Sequence, residues 1–138
     1  MKRAVVVGDG HVHAETALGA LAATGCEAVQ VGSVAEARAG VEAGAMVMVV
    51  GTADAAVTAE RTAPLAALPP GMRRGCVVVL VGEGLETGNG MQAFVHGVDL
   101  VVSRTDLAKL GEFVAAAIAA KRALVALLDP AAAARLGP

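Results

Sequence analysis

A chain of 138 residues with a formal net charge of −2 fits one domain of ordinary size and lacks the basic surface that nucleic-acid binding requires. Hydrophobic residues make up 56% of it, mostly Ala and Val, with two Phe and no Trp or Tyr, so the core is built from small, branched side chains. The longest apolar candidate for a membrane span, Phe113 to Leu128, is cut by Lys121 and Arg122, short of the about 20 unbroken residues a span needs; the run after Met1-Lys2-Arg3 is too short for a signal peptide, which points to the cytoplasm.

Apolar runs of strand length alternate five times with segments of helical period. Arg3 to Gly8 reads as a first strand, and Val5-Val6-Val7 is apolar toward both faces, as in a parallel strand covered on both sides. Val12 to Thr24 reads as a helix with Ala14, Ala17, Leu18 and Leu21 on one face and Gly25 as its stop. Asp9 is read as the N-cap of that helix, and His11 and His13 as exposed residues of its first turn. Ala28 to Val31 is the second strand. Ser33-Val34-Ala35-Glu36 is a capping box opening a helix to about Ala43.

Met46 to Val50 is the third strand, followed by a helix over roughly Ala53 to Thr62, since Pro64 disfavours helix just before it. Pro69-Pro70-Gly71 reads as a break. Cys76 to Val81 is the fourth strand. Gly82 to Gly90, with four glycines, reads as a mobile loop where a partner could bind. Met91 to His96 is a short helix stopped by Gly97, and Leu100 to Ser103 the fifth strand. Asp106 opens a last helix, with Leu107, Leu110, Val114 and Ile118 on one face and Lys121-Arg122 on its solvated face, reaching Leu128. Residues 1–128 form one domain, and 129–138 an Ala-rich tail.

Strands alternating with helices give an α/β protein: a doubly wound, five-stranded parallel sheet in the order 2-1-3-4-5, a flavodoxin-like, three-layer sandwich. That order separates Cys26 from Cys76 by two strands, beyond the about 7 Å that a disulfide spans, so both are read as buried apolar residues. Ligands of such sheets sit beyond the carboxyl ends of the strands. The residues delivered there are Gly8, Asp9, Gly10 and His11; Gly51, Thr52 and Asp54; Gly82, Glu83 and Gly84; and Ser103, Arg104 and Thr105.

The ordered set resembles the receiver domains of bacterial response regulators over most of the chain. Gly25-Cys26-Glu27-Ala28-Val29, Gly32-Ser33-Val34-Ala35-Glu36-Ala37 and the run from Gln92 through Gly97-Val98-Asp99 to Thr105 carry the likeness. In that family the first strand ends in an acidic pair that holds a divalent metal, the third in the phosphoacceptor aspartate, the fourth in Thr or Ser, and the fifth in Lys, usually followed by Pro. Here Gly8-Asp9 falls at the acidic pair, and Gly51 at the phosphoacceptor, or Thr52 with the strand aligned one residue later. Val81 or Gly82 falls at the hydroxyl position, and Arg104-Thr105 at Lys-Pro. Aspartyl phosphorylation needs a carboxylate nucleophile and a Mg²⁺ held by carboxylates. Asp9 alone is a poor magnesium site, Asp54 lies three residues past Gly51, and Arg104 would bind an oxyanion with a geometry unlike that of Lys. Thr52 is a conceivable kinase target at a buried strand end.

The resemblance therefore implies a pseudo-receiver: no enzyme, no cofactor and no metal, but a protein-interaction module of bacterial signal transduction. Its implied face is the fourth helix, fifth strand and fifth helix, with Phe94, Val95, Val98, Arg104 and Leu107 as contact residues, and Leu124, Val125, Leu127 and Leu128 as a seam for a homodimer. Asp9-Gly10-His11-Val12-His13-Ala14 is also similar to the Asp-x-His-x-x-Gly motif of cobalamin-binding domains, whose His ligates cobalt and whose Asp orients it. Ala14 stands at that motif's glycine, and Gly51-Thr52-Ala53 at the family's Ser-x-Leu. A cobalamin-binding domain is thus the second expectation. No phosphate-binding glycine motif or nucleophile elbow is present.

Overall fold

A computed structural model describes residues 2–53 and 62–137. Five parallel strands, β1 (Lys2–Val7), β2 (Cys26–Val31), β3 (Val47–Thr52), β4 (Val77–Gly82) and β5 (Leu100–Ser103), lie in the order β2-β1-β3-β4-β5. Around them run helices α1 (Ala14–Ala22), α2 (Val34–Glu42), α3 (Pro70–Arg74), α4 (Gly90–His96), α5 (Leu110–Val125) and α6 (Pro130–Arg135), with 3₁₀ turns at Ala63–Ala67 and Arg104–Lys109. This is the doubly wound, flavodoxin-like sheet that the alternation of periods predicts. The helix expected over 53–62 falls almost wholly outside the described residues.

The two-residue period of a strand divides the core in two. Val77, Val79 and Val81 meet Ala17, Leu21, Leu110, Val114 and Ile118 on one face of the sheet. Val78 and Leu80 meet Ala37, Val41 and Ala93 on the other. Every residue of β3 and β4 is buried, hence their unbroken apolar runs. Each such valine side chain stabilises the fold by about 1.5 kcal/mol or somewhat more. β2, at the edge, is exposed at three of its six positions.

The helix ends separate capping from mere spacing. Ser33 Oγ accepts from Glu36 N at 3.1 Å, as its motif requires, while the Glu36 carboxylate reaches back to Gly32 N at 3.0 Å. Asp9 does not cap α1: His13 holds that position without a side-chain bond, and Asp9 Oδ1 instead accepts from His11 N at 3.4 Å. Pro69-Pro70-Gly71 starts a helix rather than only breaking one, because Pro70 occupies the first turn of α3, where no amide hydrogen is needed. Asp106 does not open the last helix, which begins at Leu110 after the 3₁₀ turn.

The residues read as a tail fold back as α6. Asp129 caps it, accepting from Ala132 N at 3.1 Å and from Arg74 Nε at 2.9 Å, contacts that hold its carboxyl below the usual range. Leu136 is fully buried in the core that α1 and α5 share, and Ala132 and Ala133 pack on Val125.

Nor does Lys121 sit on a solvated face. Its ammonium lies under the amino end of the sheet and donates to Arg73 O (2.9 Å), Cys76 O (2.6 Å) and Asp99 Oδ1 (2.9 Å), so all three hydrogens are used. Asp99 Oδ2 accepts from Arg73 Nη1 at 2.7 Å and from Val78 N at 2.8 Å. One carboxylate thus ties α3, β4, the start of β5 and α5 together. Burial pulls the Lys121 ammonium below its usual pKa, and Asp99 partly offsets this. Beside it, burial pushes the Cys76 thiol up to about 12.

Two stability measurements follow from this knot. Asp99→Ala leaves two cations without their shared anion and lowers the unfolding free energy by about 3 kcal/mol in urea titration. The Cys76 thiol has a higher pKa folded than unfolded, so the stability it contributes is whole below pH 9.0 and is lost as pH rises toward about 12. Over that window the natural protein loses stability faster than Cys76→Ala, by on the order of 1 kcal/mol per pH unit.

Candidate functional site

The carboxyl edge of the sheet is where a site is expected, and three glycines shape it. Continuing the β1–β3 register, in which Val6 faces Val49, sets Gly8 beside Gly51, and Thr52 pairs with Gly82 on β4. A Cβ at Gly51 would fall on the main-chain carbonyl of His11, with Val12 N at 2.9 Å. A Cβ at Gly82 would meet Thr52 Cγ2 at 2.7 Å and Thr52 O at 2.8 Å. At Gly8 the obstacle is the side chain of Gln30, which lies across the position from β2. The first two positions are closed by main chain or by a packed methyl group. The third is covered by a side chain that can swing.

Arg104 completes the closure. From just beyond β5 its Nη2 donates to His11 O at 3.2 Å and to Thr52 O at 3.0 Å. Its Nη1 lies 3.7 Å from Glu83 Oε1, whose side chain is largely in water. The guanidinium expected to meet an oxyanion is thus bonded to two carbonyls, one after β1 and one at the end of β3. Thr52 is 2% exposed, so its hydroxyl is out of reach of a kinase. Thr105 is exposed, with its hydroxyl 3.0 Å from that of Ser103. Val81 is fully buried and turned into the core. His13 is exposed and His11 half-buried. Asp54 lies outside the described residues.

The glycine-rich segment after β4 is pinned. Thr87 Oγ1 donates to Asp106 Oδ2 at 2.6 Å and accepts from Ser103 N at 2.8 Å, and Gly88 N donates to Val101 O at 3.0 Å. Gln92 ties both ends, accepting from Glu86 N at 2.7 Å and donating to Gly84 O at 3.1 Å. Asn89 caps α4, accepting from Gln92 N, and Gly97 ends it at φ 69°, a conformation glycine adopts without strain.

The contact residues expected on the α4–β5–α5 face divide. Phe94 and Val95 are 83% and 70% exposed, and Met91 joins them on α4. Val98 and Leu107 are buried in the two cores and present nothing to a partner. Leu124, Leu127 and Leu128 are exposed at the far end of α5, whereas Val125 is buried against α6. The residues that sequence reasoning missed, Gln30, Thr87 and Lys121, carry no motif. Only Gly8, opposite Gln30, marks where something must come close.

Among the described residues, no group of three or more His, Cys, Asp or Glu is placed to hold a metal ion, and no helix is long and apolar enough to cross a membrane. No family model matches the sequence, and no curated protein is significantly similar to it.

An acidic side chain placed at the third strand's end runs into main chain. Gly51→Asp therefore lowers stability by about 1–3 kcal/mol, read as a fall in thermal midpoint, and leaves the protein unable to take up phosphate from a small phosphodonor.

Proposed function

We propose that the chain is a receiver-like domain that has lost aspartyl phosphotransfer and acts as a protein-interaction module in bacterial signalling. The observation that carries this reading is the His11 carbonyl lying where a side chain at position 51 would project, with Arg104 bonded to it and to Thr52 O. An acyl phosphate needs a carboxylate, a divalent metal and a free cation in one hollow. The described edge has main chain in the carboxylate's place and a guanidinium already bonded.

The working surface in this reading is α4. Met91, Phe94 and Val95 expose three large apolar side chains on a helix of seven residues, although Ala93 alone anchors it in the core. Phe94 and Val95 also wall a groove of about 430 Å³ with Leu65, Leu68 and Pro70. Apolar area gathered in this way serves contact with another molecule rather than folding.

Incubation with acetyl phosphate and Mg²⁺, followed by intact mass, gives no added phosphate, and a gain of one hydroxylamine-labile phosphate overturns the proposal. Phe94→Asp changes stability by no more than about 0.5 kcal/mol, since the ring is solvated. It removes the proteins that the natural chain retains from a bacterial lysate, and retention of the same proteins by the variant rejects α4 as the surface.

A further inference from the structure

The sheet has two edges, and the fold treats them differently. The outer side of β5 is covered by its own loop, with Thr87 Oγ1 taking Ser103 N and Gly88 N reaching Val101 O. Among the described residues β2 pairs with β1 alone. Gly8 N donates to Val31 O, so in a parallel ladder the odd-numbered residues of β2 turn their main-chain groups toward β1. The amides and carbonyls of Cys26, Ala28 and Gln30 therefore face outward. Edges of this kind are usually blunted by Lys, Pro, a bulge or a very short strand. β2 has six residues in unbroken register, no Pro or Lys, and Glu27 as its one charge.

We infer that β2 is a homodimer edge, two copies pairing antiparallel about a two-fold axis at Val29. A row of outward amides and carbonyls is satisfied by another strand, and every copy of this chain brings a free one. Antiparallel hydrogen-bonded pairs must join residues whose main chains both face outward, which allows Ala28 opposite Ala28, or Ala28 opposite Gln30. The first sets the two Glu27 carboxylates on a close diagonal. The second carries them four residues apart and puts Val29 directly opposite Val29. Val29 is 51% exposed, so this register buries an apolar pair where the other brings like charges together. Ala28 and Gln30 of each copy then exchange both of their bonds with Gln30 and Ala28 of the other.

A six-residue strand pair buries less than the roughly 1,200 Å² of a stable interface, so the dimer is weak and depends on concentration. It is independent of the α4 surface and of the fate of phosphate. Sedimentation velocity of the purified chain up to about 1 mM, where complexes of about 4 kcal/mol are populated, shows a monomer–dimer equilibrium. Val29→Lys raises its dissociation constant at least about tenfold and leaves the melting temperature unchanged, because the side chain is half in water. Facing residues of this kind stand about 4.5 Å apart at Cα, within disulfide reach, so oxidised Val29→Cys forms a covalent dimer through that residue and Gln30→Cys does not. A monomer at every concentration, a dimer indifferent to Val29→Lys, or cross-linking through Gln30→Cys but not Val29→Cys each overturns the inference.

Discussion

The main chain after β1 rests on the Cα of Gly51, and the chemistry of the molecule's upper edge follows from that contact. Because position 51 has no side chain, the turn Asp9-Gly10-His11 can settle onto the end of β3 instead of standing away from it. His11 O then lies beside Thr52 O, and a planar guanidinium serves both acceptors from a single nitrogen. Gly82 extends the closure to β4, where Thr52 fills the space that a side chain would need. The surface over the end of β3 is thus made of peptide groups, which neither accept phosphate nor bind magnesium strongly.

The opposite end of the sheet uses a similar device under different electrostatics. Lys121 gathers the carbonyls of Arg73 and Cys76 below β4, as Arg104 gathers those of His11 and Thr52 above β3. The lysine is 15% exposed and needs a buried-side counter-ion, which Asp99 supplies at 2.9 Å. Arg104 is 29% exposed and its acidic neighbour 76%, so its hold rests on the carbonyls more than on charge. The lower knot therefore bears on stability, and the upper clip on what the edge can bind.

Strand order, the two cores, the Ser33 cap and the Gly97 stop were legible because each follows from a local period or a local bond. Ser33 to Glu36 is closed within one turn, and β3 and β4 announce their burial through unbroken valine. What escaped was set by distant partners. Lys121 reads as solvated because its neighbours along α5 are polar or small; Cys76 and Asp99, which bury it, are 45 and 22 residues away. Asp106 looks like a helix cap from its position before Leu107, yet the Thr87 hydroxyl claims it across 19 residues. Val98 and Leu107 were taken as surface because they flank the fifth strand and start the last helix, but each faces inward. In the candidate site, the glycines at 8, 51 and 82 showed only that no side chain stands at those strand ends. That main chain and Arg104 had closed over two of them was not written in any spacing.

The described part of the carboxyl edge is tied down, and the two lateral edges of the sheet differ from each other. Parallel sheets concentrate ligand chemistry at that edge because side chains there splay into a crevice. Among the described residues, that edge has Arg104 bonded to both His11 O and Thr52 O. The β5 edge is sealed by a loop whose hydroxyl and amide replace a missing strand, and that seal requires Thr87 and Asp106 to stay bonded. β2 has no such loop, because Gly32 leads at once into the Ser33 cap and α2. The rapid turn that gives α2 its firm start is thus the same feature that leaves the amides of Ala28 and Gln30 without a cover among the described residues.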